Sequence, residues 1–332
     1  MEPMSELTSP AAKAGDTIRP RQEVKTVLIV NTRARTGEAA LAEARQRLEQ
    51  DGVALQAVHA LEDPSKLGET IEDSVQNNAQ LIVVGGGDGS LRTAAGVLAH
   101  TDTALGVLPL GTVNDFARNL GIEATVEAAC RVIAGGHTAQ VDVGFANDDP
   151  FLITASLGFS AEAQRALTPG LKKTFGPLGY LVASLMALRR LRDLEITFQT
   201  ERGEEKMRVL QAGLVNGHSW MGGAFEIPGV DLEEGRLAFY ALPKQSLLSY
   251  LRIARDIKHG EFFHTQGLKA FTTREMKLRT RSPQPLVLDG DLQGQTPAHI
   301  RILPGALKVC APLDFPQASS ESLAPVGSTG KV

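Results

Sequence analysis

A glycine-rich segment that contains one acidic residue is the part of the sequence best suited to phosphate chemistry. It reads LIVVGGGDGSLRTAAGVL over residues 81–98, with Asp88 inside the run of glycines. Glycine allows sharp backbone turns and a close approach of N–H groups to a phosphate, whose charge a following helix N-terminus also favours. A carboxylate beside phosphates is suited to share Mg²⁺ with them. The segment predicts a phosphate site, and a purely structural glycine turn is the alternative.

Two common phosphate motifs are excluded by the residues after the glycines. A Walker loop needs Lys and then Ser or Thr after its last glycine, whereas Leu91 and Arg92 follow Ser90. A dinucleotide-binding fingerprint needs a third glycine, and Arg92 stands in its place. The segment is therefore a candidate phosphate loop of a different kind.

A second segment, ALGVLPLGTVNDFARNLGI over residues 104–122, repeats the order of strand, turn and helix. We expect Thr112 to cap that helix, and its hydroxyl and the neighbouring N–H groups to contact phosphate. Asn114, Asp115 and Arg118 then lie on the first helical turns, near the expected cleft. The alternatives are a helix-terminal charge for Asp115 and a surface ion pair for Arg118.

Both segments belong to a regular alternation of strands and helices. Short apolar strands alternate with helices through residues 24–147, which predicts an N-terminal, doubly wound α/β nucleotide-binding domain. The expected elements are strands over residues 24–31, 53–60, 81–84 and 104–111, and a first helix over residues 38–50.

The second half of the chain has a different pattern. Strand-like segments dominate residues 148–315, which predicts a mainly antiparallel β-sandwich domain with an active-site cleft between the two domains. Helical stretches at about 160–191 and 245–259 interrupt the strands. Residues 1–23 and 316–332 are rich in Pro, Ser, Gly and charge, and we expect flexible tails there. The expected strands cover residues 151–159, 194–200, 207–216, 236–242, 268–273, 276–280, 285–290 and 299–303.

Composition and charge narrow the classes of function. The 332 residues carry a net charge of −4, which argues against a dedicated nucleic-acid binder. Cys130 and Cys310 offer neither a disulfide framework nor metal-ligand spacing, as is usual in a reducing cytoplasm. The start of the chain lacks the apolar stretch of a signal peptide, and the longest nearly apolar run, residues 178–188, is shorter than the ~20 residues that span a bilayer. We therefore expect a cytoplasmic protein with at most peripheral membrane contact.

One segment has a pattern typical of such contact. Residues 170–194 place basic side chains on either side of an apolar stretch, which suits a helix that lies on an anionic membrane surface. The basic residues are Lys172, Lys173, Arg189, Arg190 and Arg192. An ordinary amphipathic helix that packs on the sheet is the alternative.

The glycine-rich segment followed by LGVLPLGTVNDFARNLGI resembles the catalytic domain of the diacylglycerol kinase family, which includes sphingosine and ceramide kinases. NGHSWMGGAF at residues 216–225 and LDGDLQGQTPAHIRILPGALKV at residues 288–309 are similar to later segments of the family. GGGDGS alone is shared with NAD kinases and phosphofructokinases, whereas PLGTVNDFAR is more specific. The resemblance covers residues 25–313 and extends to the YegS-type bacterial lipid kinases.

The resemblance implies an ATP-dependent lipid kinase at the inner face of the membrane. Its acceptor is expected to be a hydroxyl of a glycerolipid of the diacylglycerol or phosphatidylglycerol type. The alternatives are a kinase with a soluble substrate such as NAD, and a catalytically weakened regulator that binds lipid or nucleotide. The expected partners are a lipid substrate at the membrane surface and no nucleic acid, with the oligomeric state left open.

Members of the family bind ATP through the glycine-rich loop and the threonine of the second segment. By resemblance the ATP-binding residues are Gly86, Gly87, Asp88, Gly89, Ser90, Leu91, Arg92 and Thr112. Ser90 replaces the usual threonine of the family and keeps its hydroxyl. The family also uses a threonine at the end of the second strand, where this sequence has His59 or Ala60.

The general base of the family is the acidic residue that ends an Asp-Gly-Glu motif. It falls on Asp291 in this sequence, within Asp289-Gly290-Asp291. Phosphoryl transfer needs a carboxylate that accepts the proton of the lipid hydroxyl, and Asp88 is the second catalytic candidate, through Mg²⁺. Asp is one methylene shorter than Glu. The alternative is a structural Asp-Gly β-turn.

The family also holds a metal, partly through backbone carbonyls, in a loop that corresponds to residues 231–237. The candidate ligands here are Asp231, Glu234 and Arg236, with Glu234 in the usual place of an Asp. Oxygen ligands of this kind are compatible with Mg²⁺ and with Ca²⁺. A solvated turn is the alternative.

Overall fold

The computed structural model describes residues 24–33, 37–166 and 193–316. The predicted flexible tails and most of the basic segment at 170–194 lie outside these residues. The elements of the first half are β1 (Thr26–Asn31), α1 (Gly37–Gln50), β2 (Leu55–Leu61), α2 (Leu67–Gln76), β3 (Leu81–Gly86), α3 (Asp88–Leu98), β4 (Ala104–Pro109), α4 (Asp115–Asn119), α5 (Val126–Gly135) and β5 (Thr138–Ala146).

Four parallel strands form the centre of the first domain, in the order β2-β1-β3-β4. All residues of β3 and β4 are buried, as their continuous apolar sequences predict. The connection from β1 to β2 through α1 runs across the sheet in the opposite direction to the connections through α2 and α3. Right-handed crossovers therefore place α1 on one face of the sheet and α2 and α3 on the other. Helix α5 packs on α1, and α2 packs on α3. The predicted doubly wound α/β domain is confirmed.

The chain direction across this sheet reverses between β1 and β3. From β1 the chain moves outward to β2, whereas from β3 it moves the other way to β4. Ligands of open parallel sheets bind outside the carboxyl ends of the strands at such a switch point. The two glycine turns that follow β3 and β4 lie at that edge.

The second half of the described chain is built mainly from antiparallel strands. Six of them form one sheet in the order β14-β13-β10-β7-β16-β17. The elements are β6 (Asp149–Phe151), β7 (Thr154–Gly158), α6 (Phe159–Ala166), β8 (Leu194–Thr200), β9 (Gly203–Val209), β10 (Gln211–Val215), β11 (Ser219–Trp220), β12 (Phe225–Glu226), β13 (Leu237–Leu242), α7 (Leu247–Lys258), β14 (Lys269–Thr273), β15 (Glu275–Thr280), β16 (Pro285–Leu288), β17 (Asp291–Gln295) and β18 (Ala298–Cys310).

The second layer of the sandwich continues the sheet of the first domain. Strand β18 pairs antiparallel with β15 and β5, and meets β4 in parallel where Val309 faces Leu105. Between the two sheets lies a second apolar core, in which the rings of Phe198 and Phe239 are 4.9 Å apart. The predicted antiparallel sandwich is confirmed, and β18 joins it to the nucleotide-binding half.

Some element boundaries differ from the sequence-based expectation. The strand predicted at 151–159 divides into β6 and β7, and Phe159 begins α6. The strand predicted at 207–216 divides at Leu210, whose N–H donates to Leu242 and whose carbonyl accepts from Phe159. No helix among the described residues is long and apolar enough to cross a membrane.

Candidate active site

The two glycine turns lie directly against each other. A Cβ atom on Gly111 would come within 2.6 Å of the Cα of Gly87, so that position 111 needs glycine, and a Cβ atom on Gly87 would lie 3.3 Å from the Cα of Gly111. Asn114 fixes the second turn: its Oδ1 accepts the N–H of Gly111 at 2.8 Å, and its Nδ2 donates to the carbonyl of Gly111 at 3.0 Å. The predicted cap is therefore wrong in position, because Asn114, in a left-handed conformation, precedes α4, and Thr112 is exposed in the turn.

The N-terminus of α3 is the natural phosphate contact of the first turn. The eleven-residue helix begins at Asp88 after an N-cap glycine, Gly87, and no side chain caps it. A Cβ atom on Gly86 would lie 2.5 Å from the Ser90 hydroxyl oxygen, so the Ser90 hydroxyl packs directly against the backbone of Gly86. Leu91 is wholly buried in the core, which leaves only its backbone for the predicted nucleotide contact.

Asp88 links this helix to the second turn. Its Oδ1 accepts the N–H of Phe116 at 3.2 Å. Burial raises the pKa of the Asp88 carboxyl, while backbone N–H groups of Phe116, Asp115 and Asn114 lower it. The carboxylate therefore lies between the two glycine turns, where the sequence analysis expects it to share Mg²⁺ with phosphates.

Asp115 holds a segment of the second domain. Its two carboxylate oxygens accept the N–H groups of Gly222 at 2.7 Å and of Met221 at 3.0 Å. Asn119, one turn later, donates to the carbonyl of Ser219 at 2.8 Å and accepts its N–H at 3.1 Å. Burial raises the pKa of Asp115, and the nearby charge of Asp88 raises it further. Helix α4 thus fixes the β11–β12 hairpin beside the site, which is more than a helix-terminal charge does.

Asp289 sets the position of the predicted base. It is partly buried, and its carboxylate accepts the N–H groups of Leu152, Ile153 and Thr154 at 2.7, 2.8 and 2.9 Å. Burial raises its pKa to about 6, against the effect of these three bonds. Asp289 has a φ of 47° and Gly290 one of 87°, so the chain turns sharply between β16 and β17.

Asp291 begins β17 directly beside the glycine-rich turn. Its Oδ2 lies 3.3 Å from Nη2 of Arg92, and a Cβ atom on Gly89 would come within 2.8 Å of the same oxygen. The other terminal nitrogen of Arg92 donates to the carbonyl of Leu288 at 3.2 Å. Arg92 is only 11% exposed, whereas Asp291 is 52% exposed and free to meet a substrate. The structure therefore brings Asp88 and Asp291 to one site from two domains.

A third turn at the same edge was missed by the sequence reasoning. Asn31 ends β1, which pairs with β3 at the switch point, and Thr32 follows it. The hydroxyl of Thr32 donates to the carbonyl of Leu61 at 3.1 Å, and Oδ1 of Asn31 accepts the N–H of Arg33 at 3.1 Å. The signal that could have found these polar residues is their position directly after the first buried strand.

The predicted metal loop forms a turn anchored by a buried aspartate. Asp142 accepts the N–H of Gly235 at 2.6 Å and that of Gly305 at 2.8 Å, and its own N–H donates to Leu232. Asp231 contacts Nδ1 of His218 at 3.1 Å. Through the described ranges, no three His, Cys, Asp or Glu side chains group as metal ligands. The assignment of Asp231, Glu234 and Arg236 stays a prediction.

The chemistry of this turn is compatible with a cation. Oε1 of Glu233 is buried without a hydrogen-bond partner among the described residues. Burial, together with the charges of Asp231, Asp142 and Glu234, raises the pKa of Glu233 to about 8. A hard cation bound by these oxygen atoms would relieve that repulsion.

Removal of the Asp289 carboxylate is expected to destabilise the fold. In Asp289→Ala, three backbone N–H groups lose their acceptor, and the free energy of unfolding should fall by about 3 kcal/mol. Urea unfolding measures this change. Asp149→Ala, at a nearby carboxylate that accepts a hydrogen bond from the side chain of Gln293, is the control and should cost well under half as much. Equal losses in both variants would contradict the role given to Asp289.

The contribution of Asp142 and Asp289 to the free energy of unfolding is expected to fall as the pH rises from about 4 to about 7. Burial raises the pKa of Asp142 and of Asp289 to about 6 from 3.8, so the folded chain binds more protons than the unfolded chain in this range. The contribution of these two carboxyl groups is fully present below their pKa in the unfolded chain, and it is lost as the pH rises through their pKa in the folded chain. Urea unfolding at several pH values measures the slope. Asp142→Asn should flatten it, and an unchanged slope in that variant would refute the assignment.

Comparison with known proteins places the chain in a family. The model of the diacylglycerol kinase catalytic domain matches residues 25–146, and that of the YegS C-terminal NAD kinase beta sandwich-like domain matches residues 154–311. A Mycobacterium tuberculosis protein named diacylglycerol kinase is 32% identical over 251 residues, which cover 72% of this chain and 79% of that protein. The chain belongs to the diacylglycerol kinase family.

Two further comparisons give one similar sequence and one similar solved structure. An uncharacterised Synechocystis protein is 27% identical over 266 residues, and the chain spans 60% of its length. A crystal structure of a diacylglycerol kinase from Bacillus anthracis superposes with a TM-score of 0.72, covers 87% of this chain and 97% of its own, and is 22% identical. The structural likeness establishes the shared fold.

Proposed function

We propose that this member of the diacylglycerol kinase family transfers the γ-phosphate of ATP to a hydroxyl of a glycerolipid, diacylglycerol or phosphatidylglycerol. The observation that supports this proposal most directly is the contact between Asp291, from the second domain, and the glycine-rich turn of the first domain. Its carboxylate lies beside Gly89 and Arg92, next to the helix N-terminus suited to phosphate. A proton acceptor and a phosphate contact at one point are the parts that phosphoryl transfer requires.

The phosphates of ATP are assigned to the first turn and its helix. The backbone from Gly86 to Gly89 and the hydroxyl of Ser90 offer donors without bulky side chains, and Thr112 is exposed on the adjacent turn. Asp88 is the residue that would hold Mg²⁺ against the phosphates. Bound there, the ion would neutralise charge that develops on the transferred group.

The lipid hydroxyl is assigned to the face of Asp291. The carboxylate accepts the proton of that hydroxyl. The hydroxyl oxygen of the lipid bonds to the γ-phosphorus, and the bond from that phosphorus to ADP breaks. The products are ADP and a phosphorylated lipid. Arg92 donates hydrogen bonds to the Asp291 carboxylate and to the carbonyl of Leu288. These contacts keep the side chain of Asp291, which is shorter than the Glu of the family motif, against the glycine-rich turn.

This reaction requires access to a membrane. We place the chain in the cytoplasm, at the inner face of the membrane, with peripheral contact, because both ATP and a lipid hydroxyl must reach the site. The lipid is the expected partner, and the net charge of −4 supports no role in nucleic-acid binding.

The proposal is tested with a panel of acceptors. Purified chain and Mg-ATP labelled in the γ-phosphate are mixed with diacylglycerol, phosphatidylglycerol or ceramide in detergent micelles, or with NAD in solution. The expected result is label in one of the two glycerolipids, and the labelled lipid identifies the acceptor. Label in NADP, or ATP binding without transfer to any acceptor, would refute the proposed reaction.

A further inference from the structure

Helix α7 carries an exposed face that nothing in the described chain covers. Leu248 is 74% exposed and Leu251 is 62% exposed, one turn apart on the same side of the helix. Ile253 and Ile257, on the other side, are buried in the main core. The core therefore holds the helix in place, and the two leucines face outward because their positions lie on the opposite stripe.

The same exposed face is basic. Arg252, Arg255 and Lys258 are exposed, and they continue the stripe of the two leucines towards the helix C-terminus. Arg255 pairs with Asp256 at 3.0 Å. Arg252 and Lys258 form no ion pair with any residue of the described chain. On a chain with a net charge of −4, this local basic excess indicates an anionic partner.

The helix is joined firmly to the acceptor side of the site. It contacts β12, which pairs with β11, and the turn between these strands is the one that Asp115 holds through Met221 and Gly222. Trp220 of this hairpin stacks on Phe225 at 5.0 Å. A partner bound on α7 is therefore positioned relative to the catalytic residues through a short, packed hairpin.

We propose that the exposed face of α7 docks the chain on an anionic lipid bilayer. Leu248 and Leu251 enter the boundary of headgroups and acyl chains, and Arg252, Arg255 and Lys258 contact headgroup phosphates. Apolar residues beside basic ones on one helix face are the pattern of helices that lie in the membrane interface. A second copy of the chain fits less well, because a twofold contact would bring these like charges together. The inference rests on the proposed function, which gives the docking its purpose.

The apolar part of the face is tested by vesicle sedimentation without ATP. Vesicles contain either phosphatidylcholine alone or phosphatidylcholine mixed with phosphatidylglycerol. Wild type is expected to bind the mixed vesicles, and the double variant Leu248→Ser/Leu251→Ser should bind them at least about tenfold more weakly. Leu313→Ser is the matched control, since Leu313 is 86% exposed elsewhere, and it should bind like wild type.

The basic part is tested in the same way. Arg252→Gln/Lys258→Gln should reduce binding to the mixed vesicles by about 30-fold, the effect of two juxtamembrane charges, and should remove most of its salt dependence. Lys66→Gln/Lys277→Gln, at exposed lysines on other elements, removes the same charge and should leave binding within about twofold. Unchanged binding in both α7 double variants, or equal losses in their controls, would overturn the docking surface.

Two further readouts separate this inference from the proposed function. Phosphorylation of a short-chain acceptor in solution should be the same in wild type and in the α7 variants, because the site itself is intact. If no acceptor is phosphorylated but vesicle binding depends on α7, the proposed function fails and the docking surface stands. If the leucine variant turns a dimer into a monomer by light scattering and still binds vesicles, the face is an interface between copies, and the inference is wrong.

Discussion

Asp291→Asn is expected to lower kcat for lipid phosphorylation by about 10²–10⁴-fold, the usual contribution of a positioned general base. The amide keeps the size of the side chain and can still accept from Arg92, but it cannot take up the proton of the lipid hydroxyl. ATP affinity should stay close to that of wild type, because the glycine-rich turn is unchanged. Steady-state kinetics with the labelled acceptor and nucleotide titration measure the two effects.

Two variants make this result specific. Asp291→Glu keeps a carboxylate, as in the family motif, and should retain most of the activity. Asp149→Asn changes a neighbouring carboxylate on β6. That carboxylate accepts a hydrogen bond at 3.0 Å from Gln293, which lies on the same strand as Asp291, and the substitution should have little effect. A full kcat in Asp291→Asn would remove the residue from the reaction.

Asp88→Asn is expected to lower kcat/KM for ATP by about 10²–10³-fold, as when a preorganised electrostatic group is lost. The amide can still accept the N–H of Phe116, which Oδ1 of Asp88 accepts at 3.2 Å, so the two turns should stay in contact. What is lost is the negative charge beside the phosphates. The concentration of Mg²⁺ needed for half-maximal activity should rise accordingly.

The control for this variant is an exposed carboxylate in the same domain. Asp63 accepts from Ser65 before α2 and follows β2, which is separated from β3 by β1. Asp63→Asn should leave both kcat/KM and the Mg²⁺ dependence unchanged. The assignment of Asp88 would be wrong if Asp88→Asn kept the wild-type dependence on Mg²⁺ while still folded by circular dichroism.

Local patterns predicted the first domain well for a physical reason. Strands β3 and β4 are buried on both faces, so their sequences are apolar throughout, and each ends in glycines that the close contact of Gly87 and Gly111 requires. Both properties can be read from a few neighbouring residues. The phosphate turns were therefore visible before the fold was known.

The contacts that assemble the site could not be read in this way. Asp115 binds N–H groups of Met221 and Gly222, and Asp289 binds N–H groups more than a hundred residues earlier. Arg92, predicted by resemblance to bind the nucleotide, also contacts Asp291 and Leu288 through its guanidinium. The contacts of Asp115 and Arg92 depend on how the two domains meet, that of Asp289 depends on how the second domain folds, and no local sequence encodes any of them.

Strand assignment failed where pairing outweighs composition. Strand β17 (Asp291–Gln295) is exposed at every residue, including its one large apolar residue Leu292, so no alternation marks it, and its pairing with β16 makes it a strand. Strand β18 was expected to end at 303 but runs to Cys310, because it crosses from the sandwich to β4 and β5. A break in register between Leu303 and Leu307 hid that continuation.

The most direct test of a site shared by two domains is the fate of the γ-phosphate in a total lipid extract. Wild type and Asp291→Asn are each incubated with labelled Mg-ATP and the extract in micelles, and the label in lipid and in inorganic phosphate is counted. We predict that wild type labels one lipid class and that the variant binds ATP but labels almost none. Label confined to inorganic phosphate, or equal lipid labelling by both proteins, would contradict the account.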